Sequence, residues 1–373
     1  MFFTCDENER PEMTIVDMLR ANAEKYPTEV ALVEVNPERR ENRHITWRDY
    51  DLVETTDDEP FRREMTWSVF DEKANRFANL LLSRGVRKDD KVAILLYNCI
   101  EWLPLYFGVL KSGATVVPLN FRYSSDEIAY CLDKADVNIL VFGPEFIGRV
   151  EEIVDRIHAG RLLFYVGDDC PTWAESYREL ASLCSSADPR VPLSADEDAA
   201  IYFSSGTTGF PKAILHHHES LTQAAEMEQR HHGQTHDDVF LCIPPLYHTG
   251  ACMHWMGSLL VGGRGVLLRG VSPKTVLETV SNEGCTIVWL LVPWAQDILV
   301  ALAGGQRCGW RTTTWTSGAH AHRRPAAPAS SIRRWRAVFP HHAYDTNYGL
   351  SESMGRAWRP PGPARTSTTW EPS

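Results

Sequence analysis

Ile201–Ala213, IYFSSGTTGFPKA, is the stretch whose residue types could do chemistry. An apolar, strand-forming run ends, small hydroxyl residues and glycines follow, and a lysine closes the segment. Backbone N–H groups across Ser204, Ser205, Gly206, Thr207, Thr208 and Gly209 can converge on phosphate oxygens. Gly206 and Gly209 tolerate the backbone conformations that such a nest of donors requires. Lys212 would place a point charge on the outer phosphates. The pattern is not a Walker A loop, because Lys212 follows Pro211 where that pattern has Gly-Lys-Ser/Thr.

Alternating strands and helices position this loop. The spacing of Phe70, Ala74, Phe77 and Leu81 predicts a helix over 66–86 with Gly85 as its stop. Strands are predicted at 91–97, 114–118 and 137–142, with helices at 101–112 and 125–135 between them. The rhythm pauses at 192–198 and resumes with strands at 239–243, 265–268 and 286–292 and helices at 252–261 and 273–282. Strands separated by helices of about a dozen residues imply parallel pairing through right-handed crossovers. Val92–Leu110 imitates a membrane span, but Asn98, Glu101 and Pro104 interrupt it, so a buried strand followed by a buried helix is expected.

Composition excludes several function classes. The 373 residues carry 38 Lys+Arg against 49 Asp+Glu, a net charge of −11. That balance argues against non-specific binding to nucleic acid or anionic lipid. Nine scattered Cys without a CxxC pair read as reduced thiols rather than a disulfide framework or zinc site. No targeting or transmembrane segment is read, and a cytoplasmic location is expected. The charge-dense stretch 36–64 reads as a solvated insertion. From Gln306 onward there are ten Arg, no Lys and three acids, and the hydrophobic period fades outside an island at 332–353. That tail is expected to pack poorly.

Two side-chain groups have competing readings. His216, His217 and His218 are adjacent, as are His231 with His232 and His341 with His342. Neighbouring His side chains point in different directions and lack Cys or acid partners at ligand spacing, so solvated surface His is expected rather than a metal site. Trp102, Trp255, Trp289 and Trp294 either line an acyl pocket or belong to the core, which is the expectation. Gly262–Gly270, GGRGVLLRG, is not a dinucleotide fingerprint, because the glycine spacing is wrong and a strand follows it.

SSGTTGFPKA resembles the phosphate-loop signature of the adenylate-forming (AMP-binding) superfamily, which includes acyl-CoA synthetases. Relatives usually have Gly after the Lys where this chain has Ala213. PPLYHTGA, Pro244–Ala251, resembles the segment that carries an aromatic or His gate near the substrate carboxylate, which implies that role for His248. NYGLSES, Asn347–Ser353, resembles the segment whose Tyr stacks on adenine, whose hydroxyl meets the α-phosphate and whose Glu holds Mg²⁺. That implies Tyr348, Ser351 and Glu352. A purine fits an aromatic face and a hard cation fits a carboxylate. Ser317–Ala319 resembles an adenine-wall element, and Trp289–Trp294 resembles acyl-CoA synthetases of the fatty- or aryl-acid type.

The resemblance implies an α/β fold, the large N-terminal domain of such an enzyme with two βαβ-type subdomains and parallel sheets. The expected division is 1–190, 191–305 with the phosphate loop, and a tail at 306–373. It implies ATP and Mg²⁺ as cofactors and a small carboxylic acid and coenzyme A as substrates. Lys212, His248 and Glu352 are then the catalytic candidates. The small C-terminal domain of the family, with its lysine and a ribose-binding Asp, is not recognisable here, and no Lys follows Lys274. Catalytic incompleteness is therefore expected. The alternatives are a non-catalytic nucleotide-binding fragment or pseudoenzyme, and a carrier-protein ligase of the same superfamily.

Overall fold

The computed structural model describes residues 13–41, 61–157, 160–204, 210–305, 314–320, 329–349 and 351. Its strands, in chain order, are β1 (Val30–Val35), β2 (Arg62–Thr66), β3 (Lys91–Leu95), β4 (Thr115–Pro118), β5 (Ile139–Phe142), β6 (Leu162–Tyr165) and β7 (Glu175–Ser176). They continue with β8 (Asp198–Ser204), β9 (Lys212–His217), β10 (Val239–Cys242), β11 (Arg264–Leu268), β12 (Ile287–Leu291), β13 (Thr314–His320) and β14 (Ala343–Gly349).

These strands form two sheets. One has the order β14-β13-β12-β10-β11-β1-β2 and the other β7-β6-β5-β3-β4-β8-β9. All pairings are parallel except β1 with β2 and β8 with β9, which close one edge of each sheet. The α/β class and the parallel sheets are as expected. The sheets do not, however, divide near residue 190. β1 and β2 belong to the sheet of the later strands, and β8 and β9 complete the sheet of the earlier ones. The reason is burial. VALVEV is buried on both faces, with Glu34 paired to Arg63, and fits as an interior strand between β11 and β2.

Alternation along the strands builds three cores. Val92 and Ile94 face inward, with Phe240 and Leu267 of the other sheet, while Ala93 and Leu95 face the outer helices. The inner core is filled by the helices Trp67–Ser83, Trp102–Lys111 and Thr249–Val261, through Phe70, Phe107 and Trp255. Every residue of Trp102–Lys111 is buried, so the apolar run at 92–110 is indeed a buried strand and helix. Close packing there requires Gly108. A Cβ on it would sit 2.8 Å from Phe77 Cδ1 and 2.9 Å from the Ala74 carbonyl. Thr66 accepts from the Val69 N–H at 3.3 Å and so caps the Trp67–Ser83 helix one residue after the predicted start. Among the described residues, no helix is long and apolar enough to cross a membrane.

Two regions read as solvated or poorly packed are tied in. Glu38 is buried against Arg269 at 3.1 Å, and Arg63 bridges Glu34 and Glu101 at 2.6 and 3.0 Å. Of these contacts Arg63–Glu101 crosses between the sheets, and residues 42–60 lie outside the described ones. In the tail, β13 and β14 extend the first sheet, and Trp335 of the helix Ala329–Val338 and Phe339 just after it pack into its outer core. Trp102, Trp255 and Trp289 are core residues, and Trp294 packs partly buried on the outer cluster.

Candidate functional site

β8 ends at the same edge of its sheet as β3, β4 and β5, because all four run parallel. Its middle, Ala199–Tyr202, is buried, and Ser204 emerges half-buried at the C-terminal end. The chain returns as β9 with Lys212 directly opposite Ser204. The β8–β9 pair therefore ends with Ser204 beside Lys212 at the carboxyl edge, where α/β proteins place ligands. Ser205, Gly206, Thr207, Thr208 and Gly209 lie outside the described residues. Phe210 packs on Tyr130 with ring centroids 4.6 Å apart. The Lys212 side chain is exposed, as a group reaching for an external phosphate needs to be.

The second motif caps a helix at the carboxyl end of β10. His248 is the N-cap of Thr249–Val261, half-buried, with its N–H donating to the Pro245 carbonyl at 3.0 Å. The turn before it is held by the other sheet. Asn98 donates Nδ2–H to the Pro244 carbonyl and accepts the Leu246 N–H on Oδ1, both at 2.9 Å. Tyr247 meets Phe121 edge-on at 5.3 Å. Behind His248, Trp289 lies over Gly250, where a Cβ would stand 3.2 Å from Cη2, and stacks on His254 at 5.1 Å.

The third motif arrives through β14. Ser317, Gly318 and Ala319 of β13 pair with Thr346, Asn347 and Tyr348 of β14, so the two segments implied for the adenine side are adjacent. Ser351 follows, and its carbonyl accepts a hydrogen bond from His216 Nε2 at 2.8 Å. A carbonyl only accepts, so that nitrogen carries the hydrogen. Glu352, implied for Mg²⁺, lies outside the described residues. Among the described residues, no group of three or more His, Cys, Asp or Glu could hold a metal.

Several important side chains were not read from the sequence. His216 and His218 are buried rather than solvated, while His217 is exposed. Adjacent residues in a strand face opposite ways, so a run of three must bury some. His232 is also buried, with Nδ1 at 2.9 Å from Glu228, and His254 Nε2 is 3.6 Å from the same carboxylate. Burial alone would raise the Glu228 carboxyl, but His254 and His232 outweigh it and hold it at about 2. Asn98 registered only as an interruption of an apolar run.

The chain belongs to the AMP-binding enzyme family, whose model matches residues 19–370. It is 30% identical over 232 residues to 4-hydroxybutyrate--CoA ligase 2 of Metallosphaera sedula, covering 59% of this chain and 42% of that protein. It is 31% identical over 243 residues to the crotonobetaine/carnitine--CoA ligase of Salmonella agona, covering 64% and 47%. The chain thus spans about half the length of these curated relatives. Its fold is similar to the inhibitor-bound N-terminal domain of FACL13 from Mycobacterium tuberculosis, with a TM-score of 0.75 and 23% identity over 92% of this chain and 77% of that one.

Proposed function

We propose that this chain binds ATP at the hairpin closed by Ser204 and Lys212 and activates a small carboxylic acid, as an AMP-forming acid–CoA ligase does. The carboxylate oxygen bonds to the α-phosphorus, and the bond to pyrophosphate breaks. Coenzyme A then attacks the acyl carbon through its thiol sulfur, and AMP leaves. Bringing an anion up to a polyanion is the obstacle in the first step. The N–H groups of Ser205–Gly209 and the Lys212 ammonium supply positive potential on the phosphates. Tyr348 and Ser351 take the adenine and α-phosphate side, and His248 borders the carboxylate. Glu352 is the residue that would hold Mg²⁺, which when bound neutralises phosphate charge.

The observation that carries this reading is the closed hairpin at the carboxyl end of β8, with Lys212 across from Ser204. Support comes from the strands that lead into the three motifs, β8 in one sheet and β10 and β14 in the other. The acid is proposed to be fatty or aryl. The relatives named for 4-hydroxybutyrate and for crotonobetaine or carnitine make short acids part of the same test.

A second reading is favoured by one observation: no Lys follows Lys274. These 373 residues taken alone would then bind nucleotide without completing adenylation. Acid-dependent pyrophosphate exchange separates the two. Exchange near that of a full-length ligase supports the first reading, and ATP binding without exchange supports the second. No ATP binding at all contradicts both.

A further inference from the structure

We propose that Asn98 is a positioning residue for the acid-binding gate: from one sheet it fixes the turn of the other that presents His248. This rests on the reading that His248 borders the acid.

The geometry is specific. The Asn98 carboxamide engages the turn twice, donating to the Pro244 carbonyl and accepting from the Leu246 N–H, each at 2.9 Å. Donor and acceptor are both used, so no residue of other chemistry reproduces the pair. The side chain is buried, so water cannot substitute for it cheaply. Residue 97 secures the other end of the same turn. Its ring packs on Phe121 at 4.5 Å, and Phe121 meets Tyr247.

The loop bearing Asn98 is itself held in place. The Ile100 N–H donates to Glu34 of β1 at 2.7 Å, and Arg63 of β2 bridges Glu34 to Glu101. Arg269, just beyond β11, lies 4.8 Å over the Tyr97 ring and pairs with Glu145 at 2.6 Å. Ion pairs from the first sheet therefore fix the loop of the second, which in turn fixes the gate turn of the first. A shift between the sheets would reach His248 through Asn98. Among the described residues, Ser204 and Lys212 take no part in this chain of contacts, so the two halves of the ligand are predicted to respond differently.

The test uses the 373-residue chain and its Asn98→Ala and Asn98→Asp variants. Calorimetry measures two ligands on each: ATP–Mg²⁺, and an acyl-adenylate analogue with a sulfamoyl bridge in butyryl and benzoyl forms. Loss of two buried hydrogen bonds is expected to weaken the acyl analogue about tenfold or more in Asn98→Ala. ATP–Mg²⁺ affinity is expected to stay within about twofold, because no contact to the hairpin is lost. Asn98→Asp keeps the acceptor for Leu246 but turns a carboxylate oxygen on the Pro244 carbonyl, and is expected to show the same selective loss. It also decides the matter should the alanine variant not fold. Equal weakening of both ligands would mean a merely structural role and overturn the proposal, as would unchanged affinity for the acyl analogue. If the unaltered chain binds ATP–Mg²⁺ but neither acyl analogue, the assignment of His248 to the acid fails and this inference fails with it.

Discussion

His216 Nε2 donates to the carbonyl of Ser351 across 2.8 Å, joining the strand that leaves the phosphate hairpin to the segment that follows β14. These residues are 135 positions apart in the chain. His216 is buried, with the Tyr202 ring edge-on at 5.9 Å, so its imidazole has a fixed direction. The bond ties the strand after the first motif to the third motif, and both are proposed to contact one nucleotide.

Replacing His216 by Leu removes this bond while keeping the apolar volume. A neutral hydrogen bond contributes about 1 kcal/mol, so ATP–Mg²⁺ affinity is expected to fall about fivefold. His216→Gln, which retains an N–H donor, is expected to lose less. Calorimetry on both variants checks this, and equal, unaltered affinities would show that the link does not organise the site.

The buried ammonium of Lys111 is expected to be a main determinant of stability. It is fully buried and contacts Asp71 at 2.5 Å, Asn75 at 2.7 Å and Asp188 at 3.3 Å. Asp188 also pairs with Arg20 at 2.7 Å. Burial tends to raise its carboxyl, but the hydrogen bond from Arg20 and the charge of Lys111 hold it well below the usual carboxylate range. Lys111→Ala leaves Asp71 without its cation, while Asp188 keeps Arg20, and is expected to cost about 3 kcal/mol in urea unfolding at neutral pH. Lys111→Met, which keeps the stem volume, is expected to cost less than the alanine variant. A loss under about 0.5 kcal/mol for Lys111→Ala would contradict this account.

His218 makes the fold acid-sensitive. Burial, only partly opposed by Glu197, lowers its imidazole to about 4. The unfolded chain takes up a proton near pH 6.5, the folded chain only near 4, so in that window acid favours unfolding. The stability it contributes is complete above about 6.5 and is lost as the pH falls toward 4, on the order of 3 kcal/mol. His218→Phe is expected to flatten the dependence of stability on pH between 6.5 and 4 by that amount. Chemical denaturation along a pH series reads it, and parallel curves for the two proteins would refute it.

The fold class was legible because both faces of each parallel strand are covered, leaving continuous apolar runs such as KVAIL and VFLC between helical stretches. Helix bounds fell within a few residues where a cap marked them, as at Ser124 with Glu127 and Ser272 with Pro273. The exchange of strands between sheets was not legible, because β1 reaches β11 across more than 200 residues and no local pattern records such a partner. The phosphate loop stood out since its glycines and hydroxyls have no role in a core. Asn98, His216 and the Glu228–His254 pair did not stand out, because their partners come from distant elements and their types occur on any surface.

The β8–β9 hairpin that pairs Ser204 with Lys212 is proposed to hold the phosphates of ATP. Calorimetry of ATP–Mg²⁺ binding to the 373-residue chain and to Lys212→Ala decides it. Lys212 is exposed on the first residue of β9, so its truncation should leave the melting temperature nearly unchanged. The prediction is saturable one-to-one binding to the unaltered chain and at least about tenfold weaker binding to the variant. Equal affinity in two folded proteins would contradict the claim.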